Sequence, residues 1–429
     1  MGHLMLGITG VSWARIAGAL CVLLTVAPAA ASPLRLFGYG GRSPATGGTG
    51  VASTTDYESV LLNPAGLAHT HKRLTIGGLL GQVSLKIDDA DVDTDLANGT
   101  VFGLSVPIGF GGALKDRVGF ALGLYIPNET LNKVKSPFPG EPSFAILENA
   151  AHVIAIQFAT GVKIDSNWSV GVGTRILASL RGAIDVQADS AGRFTTRSEQ
   201  QLITDFAPVV GVRYRQSDTI TWGVAVTGKS ESSYDITVKS DLGVSVPITL
   251  PGLLMAGTPQ YDPLTYAFEI GWRSSPSLLL SGYLAWEHWS AFPLPTKDPV
   301  VGGEPKQLQP DYHDTLVPKI SAEWTLHAGN TRVELRGGYG FIMTPAPEQS
   351  GPQSFLDNHR HVLASGVGLS WPTAKFPLRI DTWVQVHVLQ PRSHTKDAAA
   401  FTPSNPPPFD TVDTGGSIVA GGLTLGVDL

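Results

Sequence analysis

The sequence predicts an all-β fold: a transmembrane antiparallel β-barrel of about 14 strands with an N-terminal plug (hatch) inside its lumen. Three observations carry this. Apolar and polar residues alternate with period two in segment after segment. Short turns and long connections alternate along the chain. One stretch ahead of all this, Phe37 to Ala68, is rich in glycine and does not read as strand. Composition agrees. Charged residues make up 15% of the 429, against about 25% in soluble domains. No run of eighteen apolar residues exists to form a spanning helix. The formal net charge of −6 speaks against nucleic acid as a partner.

Residues 1–31 read as an export signal. Arg15 precedes an apolar run from Ile16 to Val26, and Ala29-Ala30-Ala31 offers a cleavage site before Ser32. Cys21, the only cysteine, would leave with it, so the mature chain is expected to hold no disulfide and no thiolate metal site.

Residues 32–72 form the expected plug. Six glycines fall between Gly38 and Gly50, giving a backbone that can pack closely against its surroundings. Thr55, with Glu58 three residues on, has the spacing of a capping box, and Asp56 suits a helix start. The helix must stop at Asn63, because the residue before Pro64 is pushed out of the α region.

Residues 73–429 form the expected barrel. Strands are placed near 73–87, 98–109, 117–127, 150–163, 168–182, 200–213, 219–229, 263–273, 277–287, 315–326, 331–342, 359–371, 377–389 and 414–429. Between Trp168 and Arg181, the residues Trp168, Val170, Val172, Thr174 and Ile176 share one face. Ser169, Gly171, Gly173 and Arg175 share the other, with Leu177 out of pattern. Leu378–Val388 and Thr331–Phe341 repeat the alternation. Segment 233–248 also alternates and is read as a hairpin or a strand extension in a loop, since an odd strand count would put the termini on opposite sides. Asp165-Ser166-Asn167, Gln216-Ser217-Asp218, Ser274-Ser275-Pro276 and Ala328-Gly329-Asn330 carry turn chemistry. Tryptophans 168, 222, 272, 286, 289, 324 and 371 lie near strand ends, as in interfacial girdles.

The glycine-rich run, the small polar helix and Asn63-Pro64-Ala65-Gly66-Leu67 together resemble the N-terminal hatch of the FadL/TodX family. Its members are outer-membrane transporters of long-chain fatty acids and other hydrophobic compounds. Trp286-Glu287-His288-Trp289-Ser290-Ala291-Phe292 is similar to a run that ends a strand in these proteins. Asp357-Asn358-His359-Arg360-His361, followed by Ser365-Gly366-Val367-Gly368, resembles the opening of a late strand. The resemblance implies passive uptake of a hydrophobic small molecule, captured by external loops and gated by the plug at Asn63, Pro64, Ala65 and Gly66. It implies sideways release into the membrane where the third strand opens, here at Gly119, Gly123 and Pro127. Outer-membrane lipid and lipopolysaccharide are the implied surroundings, a monomer the expected state, and no cofactor is called for. The chain departs from the family at its end, where Leu429 replaces the usual aromatic residue. A general diffusion porin for small polar solutes, or a surface adhesin, remains the alternative reading.

Catalytic motifs are not evident: there is no G-x-S-x-G elbow, H-E-x-x-H or P-loop. The histidines are scattered, and His359 and His361 share a face without a third metal ligand. Asp91-x-Asp93-x-Asp95 has EF-hand spacing, but Leu96 stands where glycine is required, so a solvated acidic loop is expected over a weak cation site. The inward arginines Arg175, Arg181, Arg332, Arg336 and Arg379 could meet a substrate carboxylate. Pairing with Glu334 and Asp381 is favoured, because a buried unpaired arginine is costly.

Overall fold

A computed structural model describes residues 33–94, 96–128, 141–147, 154–188, 194–241, 253–293, 296–297, 310–372, 377–403 and 406–429. The expected export signal, Asp95 and most of the connection after the third strand fall outside these residues.

The strands are β1 (Arg73–Ile87), β2 (Ala90–Asp91), β3 (Ala97–Ile108), β4 (Val118–Pro127), β5 (Ala155–Lys163) and β6 (Trp168–Ala188). Then come β7 (Phe194–Arg215), β8 (Ile220–Thr227), β9 (Ser230–Asp241), β10 (Leu253–Asp262), β11 (Thr265–Ser275) and β12 (Leu278–Glu287). Last are β13 (Thr296–Lys297), β14 (Thr315–Ala328), β15 (Thr331–Ile342), β16 (Arg360–Trp371), β17 (Leu378–Thr395) and β18 (Thr411–Asp428). Fourteen of them form a closed antiparallel barrel. Closure is made by β1 on β18, in register from Arg73↔Asp428 to Ile87↔Thr414. The even count brings both chain ends of the barrel to one rim. The remaining four strands lie at the other rim; β9 takes up 233–241 of the segment expected as a hairpin or strand extension, and its partner β10 lies beyond that segment, at Leu253–Asp262.

The sequence placed all fourteen wall strands but cut some short. β6 and β7 continue their ladder from Leu177↔Asp205 out to Ala188↔Phe194, so most of the segment read as a loop between Gly182 and Glu199 is strand. β17 likewise runs to Thr395 past an irregularity between Leu389 and Arg392. These extensions rise beyond the apolar belt, where the alternation that marks a lipid-facing strand no longer applies.

That belt is continuous. Ile76, Leu80, Val172, Phe206, Val210, Phe268, Leu284, Ile320, Leu363 and Val384 all point away from the lumen and are exposed. A soluble protein does not leave so large an apolar surface in water, whereas facing hydrocarbon costs it nothing. The opposite face of the same strands is buried and partly polar, with Ser105, Gln157, Glu269, Arg336, Asp381 and Gln385 among its residues. Trp168 stacks on Tyr214 at 4.4 Å near the rim shared by the chain ends, and Trp286 meets Tyr266 at 5.5 Å near the other. Both pairs sit where an aromatic girdle belongs.

Candidate functional site: the lumen and its N-terminal segment

The segment Pro33–Thr70 lies against inward-facing groups of strands on opposite sides of the wall. Glu269 of β11 accepts hydrogen bonds from three successive backbone N–H groups, Gly50 at 2.6 Å, Val51 at 2.9 Å and Ala52 at 3.3 Å. Gln385 of β17 donates to the carbonyls of Phe37 and Pro44 at 2.8 and 2.7 Å. The Tyr39 hydroxyl bridges β3 and β4, donating to Phe102 O at 2.5 Å and accepting from Leu124 N at 2.9 Å. The Arg42 guanidinium pairs with Glu323 of β14.

Four glycines stand side by side on the wall, in the register Gly119↔Gly161↔Gly171↔Gly211 across β4 to β7. The backbone from Asn63 to Ala68 lies flat on this row. A Cβ at Gly119 would sit 1.9 Å from Leu67 O, one at Gly171 2.3 Å from the Pro64 carbonyl carbon, and one at Gly211 1.9 Å from Asn63 Oδ1. Only glycine permits that approach.

Asn63 holds this turn three ways. Its Oδ1 accepts from Ala65 N at 3.0 Å, and its Nδ2 donates to Val51 O at 2.7 Å and to Val212 O of β7 at 3.1 Å. Pro64, Ala65 and Gly66 are buried behind it in a short helical turn, Pro64–His69. The capping box expected at Thr55 and Glu58 does not form. The helix there is only Ser59–Leu62, with Glu58 at its N-cap and no side-chain cap bond. The Glu58 carboxylate instead accepts from the N–H groups of Gly41, Arg42 and Ser43 at 2.8, 2.8 and 2.7 Å. A buried carboxylate takes the site richest in unsatisfied donors, and here the glycine coil offers three. Burial, with Asp56 nearby, pushes its pKa up to about 7 against the pull of those N–H groups.

The inward arginines are largely paired. Arg336 bonds Asp381 at 2.7 Å, Glu323 at 3.3 Å and Glu334. Arg379 bonds Asp381 at 2.7 Å and Glu334, and Arg332 reaches Glu334 at 2.7 Å. Arg175 pairs with Asp262 of β10. The side chain of Arg181 lies outside the described residues. These guanidiniums therefore tie strands together and, through Glu323 and Arg42, tie the N-terminal segment to the wall. Asp91 is exposed and 4.0 Å from Lys86, with no grouping of three metal-ligating side chains among the described residues.

At Gly119 and Gly123 the wall is intact. β4 is paired with β3 along its whole length and with β5 from Val118↔Val162 to Tyr125↔Ala155. Both glycines serve the N-terminal segment: Gly123 faces Tyr39 and Val60, as Gly119 faces Leu67. Ile126 and Pro127 keep their β3 partners, and among the described residues the β4–β5 ladder ends at Tyr125↔Ala155.

Above the segment is a cavity of about 210 Å³. Leu34, Phe37, Val51, Leu61, Val317, Ile342 and Val362 supply aliphatic and aromatic lining, and Tyr261, Trp289 and Phe292 form its roof. In the roof Tyr261 meets Phe292 edge-on at 5.3 Å, and Tyr312 stacks on Phe292 at 4.9 Å. Arg35 lies over the Trp289 ring at 5.1 Å and pairs with Glu287 at 2.6 Å. Asp357, in the connection before β16, is buried, which raises its carboxyl above the usual range.

Sequence reasoning passed over the polar groups that matter most here. Arg360, at the start of β16, is 8% exposed, and its Nε and Nη1 have no hydrogen-bond partner among the described residues. Nδ1 of His387 is likewise buried and unpartnered, while its Nε2 lies 3.0 Å from Gln385 Oε1. Lys319 completes the group. Its position is in register with Gly340, Val362 and His387 across β14 to β17. Its stem passes over Gly340 and its ammonium sits 5.1 Å from the Tyr283 ring centre. The signal for all three was their inward phase on strands already assigned; only the fold shows that they converge.

No family model matches the sequence. It is 23% identical over 367 residues to alkane uptake protein A of Marinobacter nauticus, covering 78% of each chain. Among solved structures it is similar to a Pseudomonas aeruginosa FadL homologue, with a TM-score of 0.60 and 15% identity over 94% of this chain and 98% of that one. The P. putida toluene transporter TodX superposes with a TM-score of 0.56 and 12% identity, over 92% of this chain and 99% of its own.

Proposed function

From a chain that has the fold of the FadL/TodX-type outer-membrane transporters, we propose passive uptake of hydrophobic small molecules across the bacterial outer membrane. The observation that carries this is the cavity, lined by aliphatic and aromatic side chains beside polar and charged ones, inside a barrel whose N-terminal segment packs against inward-facing groups of its wall. Such a lumen holds a ligand and does not conduct as an open pore. The relatives take up alkanes, toluene and related compounds by name, and this cavity has the lining for a compound of that class.

In this reading residues 1–31 are removed on export, residues 32–72 act as a plug, and 73–429 are the barrel. The aromatic roof at Tyr261, Trp289 and Phe292 receives ligand from the external loops. Arg360, Lys319 and His387 face its polar end. They favour an amphiphile whose oxygen atoms satisfy the free guanidinium and imidazole positions, such as a fatty acid. Asn63 to Gly66 hold the plug on the glycine row. Release is sideways, beyond the last rung Tyr125↔Ala155, beside Pro127, which cannot donate to a ladder. Entering lipid spares the ligand about 0.8 kcal/mol per CH₂ that release into water would cost. No cofactor enters this scheme.

Two measurements test it. In planar bilayers the intact protein should pass little ion current; a large steady conductance would favour a diffusion pore. Mass spectrometry of lipids copurified with the protein should find a hydrophobic ligand held in the lumen. Purification free of any such compound, with no uptake of fatty acid, alkane or arene by expressing cells, would overturn the proposal.

A further inference from the structure

The connection between β3 and β4 is longer than the turns at 164–167, 216–219, 276–277 and 329–330 on the rim shared by the chain ends. Apart from Ile164, those four turns are built from polar, glycine or proline residues. The β3–β4 connection, 109–117, carries a helical turn, Gly112–Leu114, shaped by left-handed backbone at Gly112 (φ 64°) and Asp116 (φ 56°). It exposes two large apolar side chains, Phe110 at 46% and Leu114 at 45%. Beside it, at the β5–β6 turn, Ile164 is 50% exposed. The two turns are joined, because Arg117 Nη1 donates to Ile164 O at 2.9 Å and Lys163 N donates to Arg117 O at 2.8 Å.

Three cations, Lys115, Arg117 and Lys163, lie in or beside these two turns, with Asp116 and Asp165 the acids of the same turns. The Asp165 carboxylate is occupied by the N–H groups of Asn167 and Trp168. The patch is continuous with the lipid-facing belt. Val118, Val162 and Val170 are in register directly above it, Val118 buried, Val162 half-buried and Val170 exposed, and the exposed Trp168, stacked on Tyr214, flanks it.

We infer that the 109–117 turn is an interfacial anchor that inserts Phe110 and Leu114 into the periplasmic leaflet, with Lys115 and its neighbouring cations on anionic phospholipid headgroups. Three things on the molecule select lipid as the occupant: continuity with the belt, an apolar centre with a cationic margin, and the adjoining aromatic pair. Apolar side chains at the acyl boundary with basic residues at headgroup level are the pattern of interfacial anchors. The anchor lies directly below β4. It fixes the height of that strand in the bilayer, whatever the protein transports.

The test uses the full-length protein with Phe110→Cys carrying an environment-sensitive fluorophore, reconstituted in vesicles of phosphatidylethanolamine and phosphatidylglycerol. The parent protein serves as blank for Cys21, and Ser217→Cys in a short turn of the same rim serves as the water-exposed control. The label at 110 should emit to the blue of the control. It should be quenched by nitroxide lipids labelled near the glycerol, and it should be shielded from aqueous iodide. Adding Lys115→Glu should weaken this shielding in vesicles containing phosphatidylglycerol and leave it unchanged in pure phosphatidylcholine. Iodide quenching equal to the control in vesicles would overturn the inference. So would shielding seen only in native outer membranes, which would assign the patch to a protein partner. An unchanged response to Lys115→Glu in both lipids would overturn the headgroup contact.

Discussion

Arg360→Leu is the perturbation that separates an amphiphile carrier from a carrier of plain hydrocarbon. Arg360 is 8% exposed, its Nε and Nη1 lack hydrogen-bond partners among the described residues, and the charges that act on it include Asp357 and Glu287. A carboxylate ligand reaching those nitrogens would make charge-assisted hydrogen bonds worth about 1.5–3 kcal/mol in all. Their loss corresponds to roughly ten- to hundredfold weaker binding. A ligand without oxygen gains nothing from the guanidinium, and it should bind equally or somewhat better once the charge gives way to leucine. The substitution removes a desolvated cation but also takes away the attraction it exerts on the buried Asp357 carboxyl, so folding is checked alongside binding. The assay is displacement of a fluorescent fatty acid from detergent-solubilised protein by laurate and by dodecane, with heat-modifiable gel migration reporting the barrel. The reasoning fails if laurate binding is unchanged, or if laurate and dodecane weaken equally while the barrel stays folded.

Four further outcomes are expected. Gly171→Val should lift the Pro64–Ala65 backbone from the wall, since even its Cβ falls 2.3 Å from Pro64. A cost of about 1–3 kcal/mol is expected, read as faster proteolysis of the N-terminal segment with the barrel still intact. Glu269→Ala removes the acceptor for three buried N–H groups and should free the same segment to protease; resistance equal to the parent would refute that anchor. Asn63→Ala or Pro64→Ala should lower hydrophobic uptake without unfolding the barrel, and uptake unchanged in both would sink the proposed gating. Glu58 gives a pH signature. Its folded pKa, about 7, lies above the ordinary 4.5, so across that window the folded state holds a proton that the unfolded chain has released. Seating of the segment should therefore weaken as pH rises through the window, and Glu58→Gln should flatten the dependence.

The barrel was legible in the sequence because a lipid-facing strand must alternate. Each wall residue faces either hydrocarbon or lumen, and period two records which. Trp168–Leu177 and Leu378–Val388 show the two faces in the sequence as they stand in the fold, down to the inward Leu177. Counting the alternating segments set the strand number, the long and short connections supported it, and the parity argument set 233–248 aside as a hairpin or strand extension in a loop. The alternation loses its meaning where strands leave the membrane, so the outer halves of β6 and β7 read as loop. Asn63-Pro64 announced a turn through proline sterics, which are local.

What the turn rests on is not local. Gly119, Gly161, Gly171 and Gly211 are scattered over more than ninety residues and become one flat track only through strand register. The same holds for function. Arg175, Arg332, Arg336 and Arg379 stood out as cations, and the fold spends them on carboxylates from other strands. Arg360, Lys319 and His387 looked ordinary, and the fold leaves their polar atoms facing a cavity. A sequence lists charges, but whether a charge is paired depends on which strands close beside it, and that only tertiary structure decides.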